Sequence, residues 1–201
     1  MPLVDVEIRT DLAELPDDVA AFLREADQRI ERFQFDNCVP GFVPCDFVLV
    51  YAALGSLIKQ QLPSGWAFCE WGSGFGVVAS LASMLGFEAC GIEIESRLVE
   101  EADELAVDHG LATIFYHASF IPEGGERFAD QADEFAWLHT SGSAAHDDEQ
   151  NEPSDFDVIF AFPWPGEEGA INDLFEHYAA VGALLVTYHG KDGVYVRRKV
   201  A

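Results

Sequence analysis

Two regimes of hydrophobic spacing divide the chain. In the first, Val19, Phe22, Leu23, Ala26, Ile30 and Phe33 recur at helical intervals with acids and arginines on the opposite face, which predicts an amphipathic helix over Asp17 to Phe33. A loop follows from Gln34 to Cys45, with prolines at 40 and 44. A second helix is expected from Asp46, a suitable N-cap, to about Gln61, presenting Phe47, Val50, Tyr51, Leu54, Leu57 and Ile58 until Pro63-Ser64-Gly65 stops it. From Trp66 onward, short apolar runs alternate with helical patterns: strands at 66–70, 87–93 and 113–117, helices at 76–85 and 97–109. Ser96 is the expected cap of the later helix, Gly110 its end, and Leu98, Val99, Ala102, Leu105 and Ala106 its inner face. Such alternation builds a parallel sheet with right-handed crossovers.

Residues 121–156 break the pattern with Gly124-Gly125, the run His146-Asp147-Asp148-Glu149 and one basic residue, Arg127. They read as an acidic excursion with one helix near Phe128 to Leu138, either a lid or a solvated insertion. The alternation resumes with a strand at Asp157 to Phe162, a helix at about Ala170 to Ala180 and a strand at Ala183 to His189. Gly193 to Val200 is expected as an antiparallel edge strand pairing back on its neighbour. The fold class is therefore α/β, a doubly wound and mostly parallel sheet. One domain is expected over 1–201, with a helical N-terminal extension (1–65) and an α/β core (66–201).

Charge narrows the partners. Thirty-six acids against eleven Lys and Arg give a net charge of −25, a field that repels phosphate backbones, so nucleic acid is not an expected substrate. The acid either keeps the protein soluble or favours a basic protein or cationic small molecule. No run of eighteen apolar residues exists and Met1 to Asp5 has no signal-like pattern, so neither a membrane span nor a secretion signal is expected. Cys38, Cys45, Cys69 and Cys90 form no CxxC pair and read as reduced core residues of a cytoplasmic protein; with six scattered histidines, no metal site is expected.

The chemistry concentrates in Ala67-Phe68-Cys69-Glu70-Trp71-Gly72-Ser73-Gly74-Phe75-Gly76, an apolar strand ending in an acid, a turn with three glycines and the start of a helix. Glycines allow the backbone to lie directly against a ligand. Glu93, seventeen residues after Gly76, ends the second strand, where a carboxylate can accept the hydroxyl protons of a ribose. Alone it would be an ordinary strand-end acid; with the turn it indicates a nucleoside cofactor. Gly74-x-Gly76-x-x-Ala79 also satisfies a dinucleotide fingerprint. Glu70 weighs against a pyrophosphate, since like charges about 4 Å apart repel by roughly 4 kcal/mol at an effective dielectric near 20. It would attract the cationic S-adenosylmethionine instead.

From about Phe42 onward the sequence resembles the class I S-adenosylmethionine-dependent methyltransferases. Their first motif, an apolar strand followed by acid-x-Gly-x-Gly-x-Gly, matches Glu70 to Gly76, and their second-strand acid matches Glu93 in Gly91-Ile92-Glu93-Ile94-Glu95. The resemblance implies a Rossmann-like fold and S-adenosyl-L-methionine as cofactor, with Glu70, Gly72, Ser73 and Gly74 holding the methionine portion and Glu93 with Ile94 the ribose and adenine. Two departures stand out. Where many members carry an acid for the adenine amino group, this chain has Ala118-Ser119-Phe120, so Ser119 is the expected single hydrogen bond. Where amino-methylating branches have Asn or Asp before two prolines and an aromatic residue, it has Ala161-Phe162-Pro163-Trp164, which argues against adenine or glutamine nitrogen as acceptor. The ending after Gly190 and Phe42-Val43-Pro44 are similar to small lysine methyltransferases.

On the acceptor side, Trp164 is the candidate to hold a cationic amine by its ring face, and Glu167 or Glu168 to receive charge or proton. Trp164 also reads as a packing residue between prolines, and Glu167 and Glu168 as first-turn acids of a helix. His117, Tyr188 and His189 are possible bases at strand ends. Three functions follow: a methyltransferase acting on a protein lysine or a small cationic molecule, a non-catalytic module that binds S-adenosylmethionine, or a NAD-dependent oxidoreductase using the same turn.

Overall fold

The computed structural model describes residues 2–10, 14–37, 39, 41–129 and 151–201. Among the described residues the strands are β1 (Leu3–Asp5), β2 (Ala67–Trp71), β3 (Glu88–Glu93), β4 (Ile114–His117), β5 (Val158–Ala161), β6 (Leu184–Tyr188) and β7 (Val194–Lys199). They form one sheet in the order β1-β7-β6-β5-β2-β3-β4. The five strands from β6 to β4 run parallel, whereas β7 is antiparallel to β6 and β1 antiparallel to β7. The helices are α1 (Asp17–Asp36), α2 (Phe47–Lys59), α3 (Val77–Met84), α4 (Ser96–Asp108), α5 (Glu126–Ala129) and α6 (Glu168–Tyr178).

Residues alternate across the sheet, so each strand feeds two cores. Phe68, Ala89, Phe160 and Val186 meet Leu54 and Leu57 of α2, Val78 and Ala82 of α3 and Ala102 of α4. Cys69, Ile92, Ile159 and Leu185 meet Ile171, Leu174 and Phe175 of α6 on the other face. A third cluster docks α1, through Phe22, Ala26, Ile30 and Phe33, against Phe75, Leu81, Leu98 and Leu105. Ionic contacts reinforce that docking: Arg29 reaches Glu25 and Asp108, and His109 Nε2 lies 3.0 Å from Glu25 Oε2.

The helical and strand expectations from 17 to 117 and from 157 to 200 correspond to observed elements, with end shifts. Helix α1 runs three residues past Phe33, to Asp36. Asp46 caps α2 as expected, accepting from Leu49 N–H at 3.0 Å. Ser96 is not the cap of α4 but its first residue; Glu95 stands before it in extended backbone. The C-terminal strand is antiparallel, and the unanticipated β1 lies outside it. The helix expected at 128–138 lies largely outside the described residues, although α5 forms just ahead of it. No helix among the described residues is long and apolar enough to cross a membrane, and none of their His, Cys, Asp and Glu side chains group to hold a metal ion.

The chain leaves β2 toward β3 and β4 on one side and returns through β5 and β6 on the other, so strand order reverses beside β2. In open α/β sheets that reversal opens a crevice at the carboxyl ends of the strands. Gly76 is needed there: its φ is +64°, and a Cβ would lie 2.2 Å from the Phe115 ring. Gly76→Ala should therefore cost about 3 kcal/mol through overpacking and left-handed strain. Gly86→Ala, at φ +96° but with nothing within 4 Å, should cost only about 1 kcal/mol. Urea unfolding of both variants checks the difference; equal losses would mean that Phe115 is not the constraint.

Candidate functional site

The turn after β2 hydrogen-bonds almost entirely to its own protein. Gly72 and Ser73 N–H both donate to Ile92 O, at 2.9 and 3.0 Å, and Gly76 N–H donates to Ser73 O at 2.7 Å. Gly74 N–H donates to Glu93 Oε2 at 2.8 Å. Helix α3 has a glycine, Gly76, at its cap, and Glu70 does that work from the preceding strand: its Oε2 accepts from Ala79 N–H at 2.8 Å. A carboxylate thus already occupies the helix N-terminus, where the backbone otherwise offers an anion site.

Glu93 is equally engaged. Besides Gly74, its Oε1 accepts from Ile94 N–H at 2.8 Å and Glu95 N–H at 2.9 Å. Both acids are buried, Glu70 at 5% and Glu93 at 8% exposure. Burial pushes the Glu70 carboxyl well above the usual carboxylate range; the Ala79 N–H opposes this and the Glu93 charge adds to it. Burial also raises Glu93, against its three backbone donors.

A cavity of about 580 Å³ opens over these groups, within the range of small-molecule sites. The structure places all nine sequence-derived candidates on its wall: Glu70, Gly72, Ser73, Gly74, Glu93, Ile94 and Ser119 toward β2, β3 and β4, and Trp164 and Glu167 toward β5 and α6. Gly72 has φ +69° and nothing within 4 Å of a Cβ position, so its backbone is open to a ligand. Ser119 Oγ accepts from Ile121 N–H at 3.2 Å. Trp164 and Glu167 brace one turn, Glu167 Oε2 accepting from Trp164 N–H at 2.9 Å, while Glu168 accepts from Gly166 N–H at the same distance. Of the possible bases, His189 lines the cavity, while His117 and Tyr188 do not; His117 Nε2 sits 2.9 Å from Ile94 O.

Two features of the wall were missed by sequence reasoning. The loop before α2 folds over the site: Phe42 stacks on Phe75 with centroids 5.5 Å apart, and Trp164 Nε1–H donates to Gly41 O at 3.1 Å. Only Phe42-Val43-Pro44 hinted at it. Trp71, alternating out of the face that carries Glu70, stacks on Phe120 at 5.2 Å and 10°. Its Nε1 and the Ser73 Oγ are buried without a hydrogen-bond partner. No Lys or Arg is among the described residues lining the cavity, whereas Glu95, Glu168 and Asp192 join Glu70, Glu93 and Glu167 there.

No protein-family model matches this sequence, and no curated protein matches it. Solved structures do. An RNA methyltransferase from Salinibacter ruber, in complex with S-adenosyl-L-homocysteine, is 18% identical at TM-score 0.52, the match covering 78% of this chain and 92% of that one. A methyltransferase from Geobacter sulfurreducens is 15% identical at TM-score 0.52, covering 94% and 92%. At such identity the likeness is one of fold: this chain shares the Rossmann-like fold of these methyltransferases, a mostly parallel seven-stranded sheet with antiparallel strands at one edge.

The buried acids imply a pH dependence. A carboxyl raised in the folded state binds protons there that the unfolded chain has released, so its contribution to stability is full below the ordinary glutamate range and is lost as pH rises through the raised value. Unfolding free energy should therefore decline as pH rises above the ordinary glutamate range. Glu70→Gln keeps an acceptor for Ala79 N–H and should make that decline shallower. Urea titrations across the range test this; an unchanged slope would show that Glu70 titrates normally.

Proposed function

We propose that this protein is an S-adenosylmethionine-dependent methyltransferase whose acceptor presents a cationic amine, on a protein lysine or on a small molecule. The observation that carries the reading is the Glu70 carboxylate on Ala79 N–H. A dinucleotide of this fold class rests its pyrophosphate on the helix N-terminus. Here the Glu70 carboxyl already fills that position, and the four turn amides named above are committed within the protein. This weighs against the nicotinamide alternative and favours a cationic ligand without phosphate.

The residues present suit S-adenosylmethionine. A carboxylate has about four lone-pair sites. Three on Glu93 are taken, leaving one on Oε2 for a ribose hydroxyl. Ile94 offers an apolar surface to the adenine and Ser119 a hydroxyl. The unpaired Trp71 Nε1–H and Ser73 Oγ flank the open Gly72 and suit the carboxylate of the methionine portion. When bound, the cofactor supplies an electrophilic methyl group on a sulfonium.

For the acceptor, this chain supplies alignment and exclusion of water. Phe162, Pro163 and Pro165 give an apolar wall, Trp164 a ring whose nitrogen is already committed to Gly41, and Glu167 with Glu168 the negative charge that draws a cation in. The same acidic lining, with no Arg or Lys among its described residues, favours a cationic acceptor over nucleic acid.

S-adenosylmethionine and S-adenosylhomocysteine should each raise the melting temperature, by about 2.7 kcal/mol of stabilisation at a hundredfold excess over Kd, while NAD should not. Stabilisation by NAD alone would overturn the cofactor assignment. Labelled methyl transfer into a cell lysate separates an enzyme from a non-catalytic binding module and reports whether the acceptor is large or small. The Trp164→Ala, Glu167→Ala double variant should lose at least about tenfold of that transfer; undiminished transfer would remove both residues from the acceptor site.

A further inference from the structure

A histidine stands beside the acceptor wall in a setting that the roles assigned above leave unused. Ala161 of β5 pairs in register with Thr187 of β6, so His189, two residues on, leaves the same end of the sheet as Pro163 and Trp164 and lines the same cavity. It is half-buried. Its Nε2 is 2.8 Å from Thr187 Oγ1, and the Tyr195 ring packs edge-on at 4.9 Å. Thr187 is 3% exposed and is held in the sheet between β5 and β7. The imidazole is therefore fixed from the strand side and from one edge.

Glu95 and Asp192 also line the cavity, but five of the other ionisable groups there are occupied or held protonated. Glu70 caps α3, Glu93 accepts three backbone N–H groups, and Glu167 and Glu168 hold the 164–168 turn. Burial keeps the Cys45 thiol protonated. Glu168 from α6, Asp192 from the turn after β6 and Arg197 from β7 are the charges acting on His189. Burial dominates and lowers its proton affinity, with Glu168 opposing, Arg197 assisting and Asp192 opposing. The ring is neutral at neutral pH, the form a base requires.

We propose that His189 is the general base of the methyl transfer and that Thr187 is its positioning residue. The proposal rests on the methyltransferase reading and adds the proton's destination. With the ring proton on Nε2 donated to Thr187 Oγ1, Nδ1 carries the free lone pair. It takes one proton from the acceptor ammonium. The nitrogen pair so released forms the bond to the methyl carbon as the carbon–sulfur bond breaks, its pair remaining on a now neutral sulfur. The methylated amine carries the positive charge, and the imidazolium, beside Glu168 and Asp192, returns its proton to solvent.

Three readouts test this on the full-length protein: labelled transfer into lysate across pH, calorimetric binding of S-adenosylhomocysteine, and the ring nitrogen NMR spectrum of His189. His189→Gln should lower transfer at neutral pH by about a hundredfold or more. Its binding of S-adenosylhomocysteine should stay within about twofold, and residual transfer should climb about tenfold per pH unit as free amine appears. Thr187→Val should lower transfer and displace the acidic limb of the profile, Thr187→Ser should restore it, and the spectrum should place the ring proton on Nε2. Transfer by His189→Gln within about threefold of wild type, a parallel loss of binding, or a proton on Nδ1 would overturn the proposal. If the wild type transfers no methyl group, the methyltransferase reading falls and this proposal with it; an active wild type with an equally active His189→Gln removes the proposal alone.

Discussion

The bond from Ala79 N–H to the Glu70 carboxylate decides more of this structure than any other single contact. Gly76 gives α3 a cap position without a side chain, so the helix takes its first-turn acceptor from the preceding strand. That choice places an acid at the end of β2, in the interior and beneath the ligand cavity. Burying a carboxylate costs several kcal/mol unless it is paired or hydrogen-bonded. One charge-assisted bond offsets part of that cost, and a cationic ligand can offset more. The free protein therefore carries an electrostatic deficit that the right ligand relieves.

The turn and the β3 end inherit the constraint. With the helix N-terminus filled, the amides of Gly72, Ser73 and Gly74 are free to tie β2 to β3 through Ile92 O and Glu93. The three glycines are then not equivalent. Gly76 makes room for Phe115, Gly74 for the Phe42 ring that would lie 2.7 Å from its Cβ, and Gly72 opens to the cavity. One glycine faces the cavity and two serve packing.

Sequence periodicity revealed what is local. The helical spacing of Phe22, Ala26 and Ile30, and of Leu98, Ala102 and Leu105, corresponds to faces that are buried in the structure. Short apolar runs located β2, β3, β5 and β6 because strands covered on both faces need little else. That the candidate residues line one cavity has a related reason: in a doubly wound sheet, strand ends surround the crevice, and strand ends can be read off the chain. What escaped is non-local. Three residues, Leu3–Asp5, become a strand only because β7 presents them an open edge. The 41–45 loop covers the site only because Phe42 finds Phe75 and Gly41 finds Trp164. Trp71 had no signal beyond alternation, and its stack on Phe120 joins β2 to the segment after β4, across β3.

The acidity of the chain takes a different form inside the cavity from that on its surface. Exposed acids such as Glu100 and Glu104 on α4 are screened by water and salt, and their mutual repulsion is modest. Glu70, Glu93 and Glu167 are instead fastened to backbone N–H groups, which fixes where negative charge develops when a cation binds. Under the proposed reaction this arrangement favours turnover as well as binding. Both reactants arrive as cations in a negative, low-dielectric site that attracts them. Transfer removes the charge on sulfur, so the attraction to that centre falls as the product forms. The methylated acceptor keeps its charge but lies toward the β5 and β6 side, near half-buried His189 and exposed Asp192. Binding energy spent on a charge that the reaction abolishes favours the approach to the transition state without equally retaining the product.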